Sequence, residues 1–377
     1  LRVLHVTAGN LWGGIESFLV TLARNRALAP EMAPEFALCF EGRLERELQQ
    51  TGVPILALGP VKTRAPWSIL RARRALERHL RDQRFDLVVC HSAWAQAMFG
   101  GVPRALAVPE VFYLHDLVRP RFWLERWAGR HEPSWCVTNS EFTRASIPAL
   151  FPRTSSSVVY YPIEGSAVTL SADERRGLRA ELGAADGTVL IVQASRMQPW
   201  KGHARLLRAL ARLPPTANWL CLQVGGAQRP EERRYRDALE AQARALGVTS
   251  RVSFLGQRDD VPRLLAACDI HCQPNAEPEP FGIVFVEALL AGLPTVTFAV
   301  GGPREIVTPE VGFLVADDAE LAATLERLVA DAELRRRLGE AGPRRAKELC
   351  DPGARLRELA DVFQRIAAGQ RGSVSAG

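Results

Sequence analysis

Glu279-Pro280-Phe281-Gly282-Ile283-Val284-Phe285-Val286-Glu287-Ala288 sets two glutamates eight positions apart across the start of a helix. Ile283, Val286 and Leu290 recur at helical spacing, so that helix buries one face. Pro280 and Gly282 mark a tight loop leading into it. A helix start offers free backbone N–H groups and a positive dipole end, which together suit a phosphate. Glu279 precedes the turn and can aim at the same ligand. Glu287 falls about one and a half turns inside, where a carboxylate among apolar neighbours is costly unless something donates to it; sugar hydroxyls would do so. The plainer reading is a capping glutamate and a solvated one. The apolar flanks of Glu287 weigh against it.

Outward from this segment the chain alternates apolar runs with amphipathic stretches. Strands are expected at 2–7, 35–40, 54–58, 86–91, 111–115 and 135–139, with helices at 15–26, 68–83 and 140–150 among them. The run 158–161 leads into Pro162 and a connection, and after Ser171 the alternation restarts. Strands then fall at 188–194, 219–224, 252–255, 269–273, 295–298 and 313–315. Helices fall at 203–213, 231–246, 261–267, 283–291, 321–329 and 332–348. Such alternation means βαβ units and parallel sheets. With 377 residues, two α/β doubly wound domains are expected, divided near residue 165. Ligands of such sheets bind outside the carboxyl ends of the strands.

Three further segments lie at such ends. Ala194-Ser195-Arg196-Met197-Gln198-Pro199-Trp200-Lys201-Gly202-His203 carries two cations on a loop, which would stabilise charge developing on a diphosphate without a metal. Leu11-Trp12-Gly13-Gly14-Ile15-Glu16-Ser17 has paired glycines that let a backbone approach a ligand, although many such turns are Gly-rich for packing reasons. Tyr113-Leu114-His115-Asp116 ends a strand. Asn139-Ser140-Glu141-Phe142-Thr143 reads as a helix cap.

The Glu279–Glu287 segment resembles the E-x7-E signature of the retaining glycosyltransferases of family 4, and the resemblance runs from residue 1 to about 365. It implies the GT-B fold, two Rossmann-like domains facing across a cleft. It implies an acceptor-side domain over 1–165, completed by a helix at about 352–368 packing back, a nucleotide-sugar donor domain over 166–351, and a flexible tail over 369–377. By that resemblance Glu279 contacts the donor sugar and Glu287 holds the ribose. Phe281 and the amides of Gly282, Ile283 and Val284 face the donor, and Arg196 and Lys201 take its diphosphate. Gly13 and Gly14 lie over the pyrophosphate or near the acceptor, and His115 approaches the sugar. Glu279, His115, Arg196 and Lys201 would carry catalysis. The activity implied is hexosyl transfer from a UDP- or GDP-sugar to an acceptor, a lipid-linked or polysaccharide precursor of a bacterial cell envelope. No cofactor or metal is expected, and the absence of an Asp-x-Asp pair argues against the metal-dependent alternative fold.

Composition sets the remaining bounds. Hydrophobic residues make up 47% and charged residues 24%, values of an ordinary globular chain. No apolar run reaches the ~20 residues of a membrane span, and no secretory leader is visible. A cytoplasmic protein, peripheral on the inner membrane, is expected. Seven cysteines at scattered spacing suggest buried thiols; Cys268, His271 and Cys272 lack the ligands of a zinc site. Residues 1–160 hold 20 Lys and Arg against 14 Asp and Glu, which accounts for the whole net charge of +6. The excess gathers at 68–83 and at 118–130, where Arg119, Arg121, Arg126 and Arg130 mix with Phe122, Trp123 and Trp127, a composition suited to an anionic membrane. No nucleic-acid motif occurs. The competing readings are a nucleotide-sugar epimerase of the same fold and a non-catalytic sugar-nucleotide-binding subunit. A phosphorylase would need a cofactor-bearing lysine, and only Lys62, Lys201 and Lys347 are present.

Overall fold

The computed structural model describes residues 1–8, 12–164 and 168–374, with side chains to 369. The chain divides into two compact units, Leu1–Glu164 with Cys350–Gly377, and Gly165–Leu349. The boundary expected near 165 falls at 165–167, outside the described residues, as do Leu11 and 375–377.

The first unit is built on β1 (Arg2–Thr7), β2 (Ala33–Leu38), β3 (Ile55–Ala57), β4 (Leu87–His91), β5 (Glu110–Leu114), β6 (Trp135–Thr138) and β7 (Ser156–Val158). They form one parallel sheet in the order β3-β2-β1-β4-β5-β6-β7. Helices cover both faces, so its central strands are near-continuous apolar runs. Val3, Leu4, Val6, Leu87, Val88 and Val89 are wholly buried. The helix Pro66–Asp82 inserts Ile69, Ala72, Leu76 and Leu80 against Leu4, Val6 and Val88. Each such aliphatic side chain contributes about 1.5–3 kcal/mol by leaving water.

The second unit repeats the plan with β8 (Val189–Ala194), β9 (Trp219–Val224), β10 (Val252–Gly256), β11 (Ile270–Cys272), β12 (Thr295–Phe298) and β13 (Gly312–Val315). Its parallel order is β10-β9-β8-β11-β12-β13. In both sheets the order reverses beside the first strand, between β1 and β4 and between β8 and β11. In sheets of this kind the loops diverge at such a point, and ligands bind at the carboxyl ends there.

The sequence-based expectation fails locally. Residues 140–150 are not one helix: Glu141–Arg144 is helical, and Ile147–Ala149 is a separate 3-10 turn containing Pro148, which has no N–H to continue the ladder. The helices Arg43–Gln49 and Trp123–Ala128 are too short to show a period. The helix Pro352–Val374 runs through residue 369, where the tail was expected to begin. Once a helix is nucleated, each added residue gains a hydrogen bond. That helix belongs to the first unit, where Leu356, Leu359 and Phe363 are fully buried. Ile163 N–H donates to Cys350 O at 3.0 Å, joining the segments by which the chain leaves and re-enters the first unit. Among the described residues no helix is long and apolar enough to cross a membrane.

Candidate active site

In the second unit the loops after β8 and β11 leave the sheet side by side, because these strands pair. After β8 the chain makes a 3-10 turn, Pro199–Lys201, and reaches Gly202 at φ 79°. A Cβ there would lie 1.8 Å from Pro274 O, so only glycine lets the two loops close on each other. Gln193 Nε2–H donates to Lys201 O at 2.7 Å and fixes the turn from below. Lys201 is thereby delivered to the other loop, where its Nζ lies 2.5 Å from Glu279 Oε2. Asn275 Nδ2–H donates to the same oxygen at 3.1 Å, and the Lys201 ammonium sits 3.9 Å from the Trp200 ring centroid.

Glu279 is held by its backbone as well. It bridges Gly301, and Gly302 N–H donates to Glu279 O at 2.8 Å. Gly282, at φ 99°, turns the chain into the helix Ile283–Leu290, with Phe281 buried behind it. The first amides of that helix, those of Ile283 and Val284, have no preceding helical carbonyl to bond. Glu287, half-buried on the helix, has no side-chain partner among the described residues, and its shielded surroundings push its pKa up to about 7.

Arg196 does not join Lys201 and Glu279 directly. Its guanidinium pairs with the buried Glu232, which also accepts from Gln198 Nε2 at 3.2 Å and from the backbone N–H of Gln228 at 2.6 Å. Glu232 and Asn275 went unnoticed in the sequence. Asn275, four residues before Glu279 on a strand exit, was accessible to the same reading; Glu232 was not, because its partner lies 36 residues away.

In the first unit Gly13 precedes the helix Gly14–Arg24. Among the described residues a Cβ on Gly13 would meet Glu16 Oε2, at an ordinary 3.6 Å, and the Gly13 backbone is extended. His115 is buried, and both its ring nitrogens are engaged, Nε2 by His91 and Nδ1 by Tyr161. In this arrangement the ring has no nitrogen left for a sugar. Ser140 caps its helix by accepting from Thr143 N–H at 3.0 Å. Asn139 instead donates to His115 O and to Tyr161 Oη.

All seven cysteines are free and buried. Cys268 packs in the cluster with Leu190 and Val192, and Cys272 in the one with Val189 and Ile191, so the two lie on opposite sheet faces. Among the described residues no group of His, Cys, Asp or Glu is arranged to hold a metal ion.

Two family profiles match the chain: Glycosyltransferase Family 4 over residues 12–164 and Glycosyl transferases group 1 over residues 174–345. The chain belongs to the family 4, group 1 glycosyltransferases. It is 26% identical to HepE of Anabaena, crystallised in complex with UDP, with a TM-score of 0.83 over 97% of this chain and 100% of that one. This family 4 chain therefore has the GT-B fold. It is 35% identical over 167 residues to the lipopolysaccharide core biosynthesis glycosyltransferase LpsE of Rhizobium meliloti, covering 44% of this chain and 46% of the relative. It is 30% identical over 292 residues to a D-inositol 3-phosphate glycosyltransferase of Salinispora arenicola, covering 70% and 65%. The chain thus spans less than two thirds of the length of these curated relatives.

Proposed function

We propose that this family 4 chain is a retaining glycosyltransferase that moves a hexose from a nucleoside-diphosphate sugar, UDP-linked in the first instance, to a lipid-linked or polysaccharide precursor of a cell envelope. The observation that carries this reading is the Lys201–Glu279 contact at the carboxyl edge of the second sheet, beside a helix whose Glu287 has no side-chain partner among the described residues. Ribose hydroxyls donate to Glu287. The diphosphate takes the helix-start amides and the positive charge of Lys201 and Arg196, and Glu279 accepts from the sugar. The bond from the anomeric carbon to the phosphate oxygen breaks as the bond to the acceptor oxygen forms on the same face. The acceptor proton passes to the leaving phosphate, so the reaction balances without a protein nucleophile. In this scheme Lys201 and the helix-start amides carry the diphosphate charge, and Arg196, paired with Glu232 in this structure, joins them by exchanging partners. The UDP and UDP-glucose complexes of HepE support the choice of donor, and the name of LpsE supports an envelope acceptor.

The first unit exposes Trp67, Phe122 and Trp123, the last two among Arg119, Arg121, Arg126 and Arg130. This supports peripheral contact with an anionic membrane face, where a lipid-linked acceptor resides.

Calorimetry with UDP, GDP and ADP, on wild type and Glu287→Ala, tests the reading. UDP binding that weakens in the variant is expected. Absence of binding by all three at millimolar concentration refutes the donor site and favours a non-catalytic subunit.

A further inference from the structure

Three imidazoles form one hydrogen-bonded line inside the first unit. His5 Nδ1 lies 2.9 Å from His91 Nε2, His91 Nδ1 lies 2.8 Å from His115 Nε2, and His115 Nδ1 lies 2.5 Å from Tyr161 Oη. The line crosses β1, β4 and β5, which are sheet neighbours, and ends just beyond β7. Its rings stack at centroid distances of 5.2 and 5.1 Å. Phe18 of the helix Gly14–Arg24 lies over His91, His115 and Tyr161, and Phe363 of the last helix lies against His5. None of the four members is more than 6% exposed.

A bond between two neutral imidazoles needs one N–H and one lone pair, so the tautomer of any ring dictates the next. Only two senses satisfy all three bonds. In the first, every Nδ1 carries the proton, Tyr161 Oη accepts from His115 and also from Asn139 Nδ2 at 3.1 Å, and the line ends on the bare lone pair of His5 Nε2. In the second, His5 Nε2 carries a proton, and that atom is buried with no acceptor among the described residues. A buried N–H without a partner is the rarer defect. The first sense also turns the Tyr161 O–H away from His115, but a hydroxyl proton rotates to another acceptor where a ring N–H cannot, so the first sense is the stable one.

We infer that His5 and His91 are positioning residues that act through His115, holding its ring as the neutral Nδ1–H tautomer aimed at Tyr161 and denying it the role of a general acid. The titratable groups facing the line are its own members, Tyr113 of β5, and Glu358 of the last helix, which acts on Tyr113. Burial holds His5 and His115 down at about 3 and His91 well below its ordinary value. The far end of the line has a mechanical use. Tyr161 begins the segment whose Ile163 bonds Cys350, so the tautomer-locked line ties the strand ends to the chain's exit from this unit. Only the relevance of His115 to turnover rests on the proposed transfer reaction; the tautomer does not.

The test is nitrogen-15 NMR of imidazole-labelled full chain, wild type and His91→Phe, with a pH profile of turnover. Three Nδ1–H tautomers that do not titrate between about pH 5 and 8 are expected in wild type. In His91→Phe, His115 loses its Nε2 partner and its tautomers mix. An Nε2–H or charged His115 in wild type overturns the inference, as does a variant whose His115 tautomer is unchanged. If His91→Phe does not fold, the wild-type assignment alone decides. Absence of turnover with every donor would sink the transferase reading and leave the tautomer result standing.

Discussion

Lys201 and Glu279, 78 residues apart in sequence, form a contact of 2.5 Å between side chains only 15% and 11% exposed. A pair this sheltered is one whose halves cannot be removed separately without cost. Lys201→Met leaves the Glu279 carboxylate supported by Asn275 alone, and we expect a loss of about 3 kcal/mol in denaturant unfolding. The double variant Lys201→Met/Glu279→Gln should recover most of that stability. It should not recover activity, because the charge at the diphosphate stays absent, at a cost of about 10²–10³ in kcat. Recovery of both would show that the pair is structural only.

Glu287 gives a pH signature. Its folded pKa of about 7 lies above the ordinary glutamate value of 4.5. The folded state therefore holds more protons than the unfolded state between these values, and stability falls as pH rises through that window. Glu287→Gln should be near neutral at pH 4.5 and stabilising by about 1–3 kcal/mol at pH 8. Ribose hydroxyls favour the ionised carboxylate, so nucleotide should bind wild type more tightly at pH 8 than at pH 6. In Glu287→Gln that slope should vanish. A slope that persists would move the ribose elsewhere.

Gly202→Ala combines a left-handed backbone with a 1.8 Å encounter with Pro274 O. The loop must shift, and Lys201 shifts with it. We expect a loss above about 2 kcal/mol and a raised donor KM. Gly183→Ala, also at positive φ but with nothing within 4 Å, serves as the control that shows strain without encounter.

The exposed aromatics can be tested on vesicles. Wild type should pellet with anionic vesicles at low salt, and less at high salt. Trp123→Ala with Arg126→Ala should weaken pelleting while leaving nucleotide binding unchanged. Failure of wild type to pellet would remove the membrane from the proposal.

The sequence was most legible where chemistry and periodicity coincide. β1, β9 and β12 have the bounds read from their apolar runs, and the Arg196, Lys201, Glu279 and Glu287 segments sit at strand exits, as a doubly wound sheet requires. Partners fixed by sheet order were not legible. His5, His91 and His115 look like three isolated histidines until β1, β4 and β5 lie side by side. Glu232 looks like an ordinary first-turn acid until Arg196 is found against it. Trp123–Ala128 escaped for a different reason: six residues cannot display a 3.6-residue period.

The last helix is made after the second unit but completes the first. Phe363 reaches the His5 ring only once the intervening 165–349 have been synthesised. On the ribosome the usual order, in which the earlier domain finishes first, is inverted: the second unit can close its sheet while the first still waits for its final helix. A chain stopped at residue 350 would present the His5 face to solvent and to whatever chaperone is nearest.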